Sequence, residues 1–205
     1  MKNFTSVASA FCITAMLLAG CGTAEPSKEG SAATETAKKE VVLMDASFPT
    51  YNNIDELANQ ADLIIEGKIL KSSFKLINIA EEPADPNDEK LNPGGDISDS
   101  PAIPYTIYDV EVQKNYKGEA AEKEIIQVKQ VGGEDQEHTF KVEDSEELKT
   151  NENYVMFLAT FENSPASLLN PVQGSYTVED DGTIKGNEKN QIKIEMNNLL
   201  KLEQQ

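Results

Sequence analysis

The sequence predicts a mainly β (α+β) domain: a curled antiparallel sheet or small barrel of about six strands with a short helix at each end. Three observations point there. Between Leu63 and Lys185 apolar residues recur largely at every second position, the period of a half-buried strand. Turn chemistry divides these stretches at Lys117-Gly118, Gly132-Gly133 and Asp180-Asp181-Gly182. Helical spacing occurs only near the two ends.

The first helix is expected at Asn53–Ala61. Asn53 suits the cap, Glu56 follows three residues later, and Ile54, Leu57, Ala58 and Ala61 share one face. After Asp62 the period changes. Leu63, Ile65, Gly67 and Ile69 alternate with Glu66 and Lys68, while Ile64 and Leu70 add apolar groups to the second face. That pattern predicts a strand buried on one side and partly covered on the other, with a bulge or close backbone approach at Gly67. Tyr105–Tyr116 reads as a strand with Thr106, Tyr108, Val110 and Val112 on one face and Tyr105, Ile107, Asp109 and Glu111 on the other. Glu124–Val131 follows as a strand that Gly132-Gly133 ends, then a short strand at Thr139–Val142 with Phe140 and Val142 inward, then a turn or brief helix at Ser145–Lys149. Tyr154–Phe161 is a continuous apolar run, as expected of a central strand covered on both faces. Gly174–Glu179 and Thr183–Lys185 flank Asp180-Asp181-Gly182 as a hairpin. From Ile192 the spacing of Met196, Leu199 and Leu200 predicts a closing amphipathic helix.

The amino terminus carries a different message. Lys2 precedes an apolar stretch, Phe4–Leu18, diluted by Thr5, Ser6, Ser9 and Thr14. A membrane span needs ~20 apolar residues, so this reads as a secretory signal, residues 1–20. Leu17-Leu18-Ala19-Gly20-Cys21 closes it. This run resembles the lipobox of bacterial lipoproteins. The resemblance implies that Cys21 becomes the mature amino terminus and the lipidation site, carrying a diacylglyceryl group and palmitate-type chains. Two acyl chains, at ~0.8 kcal/mol per buried CH₂, hold a protein firmly on a bilayer. The expected location is the outer side of the cell membrane. Cys12 leaves with the signal and Cys21 is alkylated, so disulfides, thiolate catalysis and cysteine metal sites are excluded together.

Residues 21–45 are expected to form the lipidated cysteine and a disordered linker. Gly22–Glu40 in particular is built from Ala, Thr, Ser, Glu, Lys and Gly, without apolar periodicity. Residues 46–202 then form the β domain. Eighteen basic residues, all lysine, stand against 36 acidic ones, a net charge of −18. Such a balance repels nucleic acid and anionic lipid headgroups, and the missing guanidinium removes bidentate phosphate recognition. The lysine-rich, arginine-free usage fits an AT-rich genome and so a Gram-positive host.

A long acidic loop, residues 78–104, separates the first two strands. It holds Glu81, Glu82, Asp85, Asp88, Glu89, Asp96 and Asp99 against Lys90, with five prolines and Gly94-Gly95. Loops above about 12–15 residues inside compact domains are usually functional or disordered. The favoured reading is a solvated insertion between neighbouring strands. The alternatives are a cation site using Asp85, Asp88, Glu89 and Asp96, since Ca²⁺ takes six to eight oxygens, or a surface for an envelope protein. The EF-hand pattern is not met, because Lys90 stands where the loop needs glycine. No cofactor is expected.

Catalytic patterns are thin. His138 is the one histidine, which excludes multi-histidine zinc centres and H-E-x-x-H. Ser175 follows Gly174 without a G-x-S-x-G elbow, and Gly132-Gly133 lacks the Gly-Lys-Ser/Thr of a phosphate loop. Paired carboxylates for glycoside hydrolysis are compatible with so acidic a chain, but there is no tryptophan to stack a sugar.

Ala61-Asp62-Leu63-Ile64-Ile65-Glu66-Gly67-Lys68, Tyr108-Asp109-Val110-Glu111-Val112, Tyr116-Lys117-Gly118, Gly132-Gly133, Tyr154-Val155-Met156-Phe157-Leu158 and Gln173-Gly174-Ser175-Tyr176 resemble uncharacterised secreted bacterial domains with barrels of the OB or netrin-like type. The resemblance implies an OB-like barrel and brings no catalytic residues. The leading expectation is therefore a membrane-anchored, non-enzymatic binding module of unspecified ligand. The runner-up is an envelope hydrolase using carboxylates or His138. A third reading is a protease-inhibitor-like barrel, against which stands the acylation of Cys21, since such inhibitors present a free amino-terminal cysteine.

Overall fold

A computed structural model describes residues 39–78 and 102–202 of the 205. All of them lie in one compact unit, Lys38–Gln205. The fold class is mainly β, as the alternation predicts. In chain order the elements are β1 (Glu40–Met44), α1 (Ile54–Gln60), β2 (Leu63–Ile77), β3 (Ile103–Lys117), β4 (Ile125–Val131), β5 (Gly133–Glu134), β6 (His138–Val142), β7 (Asn153–Phe161), β8 (Ser164–Leu168), β9 (Ser175–Val178), β10 (Ile184–Gly186) and α2 (Met196–Leu202). Among the described residues no helix is long and apolar enough to cross a membrane.

Five strands close into a ring. β2 pairs with β3, β3 with β4, β4 with β8, β8 with β7, and β7 returns to β2. Counting only these five in chain order, the ring runs 1-2-3-5-4-1, with the 3–5 contact parallel and the others antiparallel. Closure removes the free edges of the ring itself, while β2 beyond Ile69 runs past it. A ring so small leaves its interior to side chains. Leu63, Ile65, Ile69, Tyr108, Val110, Val112, Val128, Met156 and Leu158 fill it, and Leu148 from the Ser145–Lys149 segment packs against one end of this core. That segment is irregular rather than helical.

A second apolar layer lies outside β2 and β7. There Ile64, Val155 and Phe157 meet Leu57 and Ala58 of α1, Ala61 just past its end, Tyr176 of β9, and Leu199 of α2. β7 is thus covered on both faces, which is why its sequence is apolar without a break. Asn53 caps α1 as its sequence predicts: its side chain accepts from the Glu56 N–H, while Glu56 accepts from the Asn52 N–H. The bonds from both Asn52 donors hold the Glu56 carboxyl below its ordinary value.

Gly67 sits at a register shift between β2 and β3. A Cβ there would lie 2.5 Å from Val110 Cγ1 and 3.1 Å from the Glu111 carbonyl, so only glycine permits the approach. Gly132 and Gly133 both have positive φ, +104° and +128°, and carry β4 out of the barrel into β5.

Four expectations change. The stretch 40–44, assigned to the linker, is a strand: β1 pairs in parallel with β6, from Glu40–His138 to Met44–Val142. α1 is accordingly not the first element. The ring holds five strands against the expected six or so, and ten strands are present in the described residues because β1, β5, β6, β9 and β10 pair outside it. The closing helix begins at Met196, and Ile192 and Ile194 are buried in an extended run before it. In β6 it is Thr139 and Val142 that are buried, while Phe140 is half-buried, stacked on Phe74 at 5.8 Å.

Candidate binding face

The barrel interior is occupied, so ligand chemistry must lie on outward-facing side chains. The outer face of β2, β3 and β4 is ordered in rows by strand register. Lys71, Asp109 and Gln127 form one row; Ser73, Ile107 and Lys129 the next; Lys75, Tyr105 and Val131 the third. A register shift between Ile69 and Lys71 re-phases β2 so that Ile69 points into the barrel while Lys71, Ser73 and Lys75 share the outer face.

The rows differ in charge. In the first, Asp109 is neutralised. Lys71 Nζ lies 3.0 Å from its carboxylate and Gln127 donates to it at 3.1 Å, which holds the carboxyl below the usual carboxylate range. The second and third rows carry Lys129 and Lys75 and no acid. In a chain with net charge −18 this is a local inversion of sign. It matters at contact distance, because charges further than about 8 Å are screened at physiological salt.

Lys129 is buried, and its ammonium donates to Ser164 Oγ at 2.6 Å. It sits 4.3 Å from the Phe161 ring centroid and 5.7 Å from that of Tyr105. Burial lowers its pKa, and no ion pair offsets that among the described residues. Lys129 clamps the β7–β8 turn onto β4 through charge–ring contacts. Phe161 stays half exposed on the rim, and Tyr105 is buried beside it. The accessible cations of the face are Lys75 and Lys71, the latter shared with Asp109, with the aromatic rim at Phe161.

Cavities of about 710 Å³ beside Tyr116–Gly118 and about 520 Å³ between Leu43–Thr50 and Val142–Asp144 lie elsewhere on the surface, and in two others polar groups bond one another. A cavity of about 420 Å³ lies between β5–β6 and the Ser145–Lys149 segment. There Tyr108 donates to Gln130 Oε1 at 3.2 Å, and Gln130 donates to the Glu146 carbonyl at 2.8 Å. A smaller cavity of about 130 Å³ gathers Glu147, Glu152, Glu179, Lys185 and Tyr154. Tyr154 donates to Glu152 at 2.7 Å, and burial pushes its hydroxyl up to about 12.

The expected lipid acceptor Cys21 and the candidate cation ligands Asp85, Asp88, Glu89 and Asp96 lie outside the described residues. What is described is the base of their loop: Ile77 pairs with Ile103, so the acidic insertion joins adjacent antiparallel strands. Among the described residues no three His, Cys, Asp or Glu side chains converge as a metal site would require. His138 starts β6, its Nδ1 3.3 Å from Asp135, whose carboxylate also accepts from the His138 and Glu137 backbone N–H groups. Ser175 lies on β9, paired with Met156, and no hydrogen bond joins it to His138 among the described residues.

Sequence reasoning passed over Lys71, Lys75, Lys129, Phe161 and Ser164 as a group. One signal was available. Residues 67–80 contain Lys68, Lys71 and Lys75 and no acid, an unusual run in a chain with 36 acidic residues. No family model and no curated protein matches this chain.

Proposed function

We propose that the protein is an outward-facing lipoprotein, held by acylated Cys21, whose barrel is a non-catalytic binding module for an anionic component of the cell envelope. The observation that carries this is the outer face of β2–β4, where Lys71, Lys75 and the Phe161 rim form a cationic, partly aromatic surface on an otherwise acidic chain. Side chains fill the barrel interior, and the cationic surface is a face outside it. Face-type sites suit extended polymers, which supply many weak contacts along a strand. The stretch Gly22–Lys39 separates the anchor from β1, and at roughly 3.3–3.6 Å per residue it reaches at most about 65 Å from the bilayer. Polymers of the inner envelope lie within that reach.

Two measurements test this reading. Cys21→Ser should move the protein from the membrane fraction to the soluble one; a variant that still pellets with membranes contradicts the anchor. The mature protein should co-sediment with washed envelope at low salt and leave it as salt rises, and Lys71→Glu/Lys75→Glu should abolish the retention. Retention unaffected by the double reversal would contradict the face, and release of soluble envelope fragments by the protein would contradict the non-catalytic assignment.

A further inference from the structure

We infer that the free edge of β2, Lys71–Ile77, is a docking edge for an extended peptide whose side chains alternate between acidic and apolar. The inference rests on the binding-module reading and names its partner class.

β2 is paired along its whole length on one side only. Its ladder with β3 runs from Ile64–Lys117 to Ile77–Ile103. Its ladder with β7 runs only from Leu63–Leu158 to Lys68–Asn153. The Ile69 N–H donates to the Glu152 carbonyl, and the Ile69 carbonyl accepts from the Asn151 N–H. Beyond that point no strand and no backbone hydrogen bond meets the outer edge of Lys71–Ile77 among the described residues. The β2–β7 ladder ends there because β7 begins at Asn153. The open edge is about 23 Å long at ~3.3 Å per residue, the length of an ordinary strand.

Exposed edges usually invite either nothing or another strand, and lysine is the common guard. Here the guards are placed so that they also select. A second copy adding antiparallel about a two-fold at Ser73 would set Lys71 opposite Lys75 at both ends of the pair. Like charges directly opposite each other destabilise a sheet, so the edge disfavours a second copy in that register. A strand carrying carboxylates opposite Lys71 and Lys75 turns both repulsions into attractions. The Lys71 side chain is 73% exposed, so it can leave Asp109 for a second carboxylate at little cost. On the other face of β2, Leu76 is 61% exposed. It offers an apolar contact to the partner's alternate side chains. Main-chain hydrogen bonds would supply affinity and these two faces the specificity.

The test uses the full chain and a fluorescent peptide, Val-Glu-Val-Ser-Val-Glu-Val, read by polarisation. A peptide of the same composition with its glutamates adjacent is the control. We expect the alternating peptide to bind at least about tenfold more tightly than the control, and to weaken as salt rises. Two further peptides carry backbone N-methyl groups on one or the other alternating set of amides. One set faces β2 and one faces away, so one peptide should lose binding and the other keep it. This arm needs no variant protein. Lys71→Glu/Lys75→Glu, checked for an unchanged melt, should cost at least about tenfold. Equal binding by alternating and control peptides, equal tolerance of both N-methyl sets, or no effect of charge reversal overturns the proposal. Binding that appears only after residues 82–100 are deleted would assign the edge to the chain's own acidic segment and overturn it too. Envelope retention that survives while peptide binding fails would leave the binding-module reading intact and remove only this edge.

Discussion

Phe157→Ala and Phe161→Ala, a few residues apart on the same strand, should differ several-fold in their effect on stability. Phe157 is fully buried in the outer apolar layer, its ring 5.9 Å from Tyr176 in an edge-on arrangement, beside Leu57 and Leu199. Truncation removes the transfer energy of the ring, leaves a cavity under both helices and breaks the aromatic pair. Buried Phe→Ala changes cost about 3–5 kcal/mol. Phe161 sits at the end of β7, half exposed, and its main contact is the Lys129 ammonium. Its loss should cost about 1 kcal/mol or less, mostly the charge–ring term. Urea melts convert these to midpoints. With a slope of about 2 kcal/mol/M, Phe157→Ala should lower the midpoint by roughly 1.5–2.5 M and Phe161→Ala by roughly 0.5 M or less. Equal shifts would refute the assignment of β7 as the strand shared by both apolar layers.

Gly67→Ala should destabilise by about 1–3 kcal/mol, since its Cβ would press on Val110 and the Glu111 carbonyl; a thermal melt within a degree of wild type would deny the close approach. Burial raises the hydroxyl pKa of Tyr154 and Tyr176 to about 12 and that of Tyr108 further. The unfolded chain ionises these groups from about pH 10, so the folded state should be flat in stability below that and lose it progressively from pH 10 to 12. Phenolate absorbance should rise in step with unfolding, and three tyrosines titrating near 10 in the folded protein would contradict the burial. Deleting residues 82–100 should leave the melting point nearly unchanged, with or without millimolar calcium, as a solvated insertion between paired strands requires. A calcium-dependent rise, near ~2.7 kcal/mol at a hundredfold excess over Kd, that vanishes in the deletion would instead make Asp85, Asp88, Glu89 and Asp96 ligands.

Elements with strong local chemistry were legible in the sequence. Asn53 and Glu56 marked the start of α1, Asp180-Asp181-Gly182 marked the β9–β10 hairpin, and the unbroken apolar run of β7 announced cover on both faces. Elements that exist for long-range reasons were not. β8 reads Ser-Pro-Ala-Ser-Leu, with little strand propensity, and is held in place because it completes the ring between β4 and β7. Pro165 is tolerated because it is absent from both ladders. β1 looks like the end of a tether until β6, nearly a hundred residues later, supplies its edge. The second half of β2 is polar, Lys71-Ser72-Ser73, because only β3 covers it. The candidate face was hidden for the same reason. Lys71, Lys75, Lys129 and Phe161 come from three strands, and only the register of β2, β3 and β4 and the closure by β8 bring them together.

The central claim is that the outer face of β2–β4 is where this protein meets its ligand. Photocrosslinking in living cells tests it most directly, with a photoreactive residue placed at Ser73 or Phe161 on the face and at Asp181 on the β9–β10 turn. The account predicts one discrete adduct from Ser73 and Phe161, lost when Lys71 and Lys75 are reversed to glutamate, and none from Asp181. Adducts from Asp181 alone, or face adducts indifferent to the charge reversal, would contradict it.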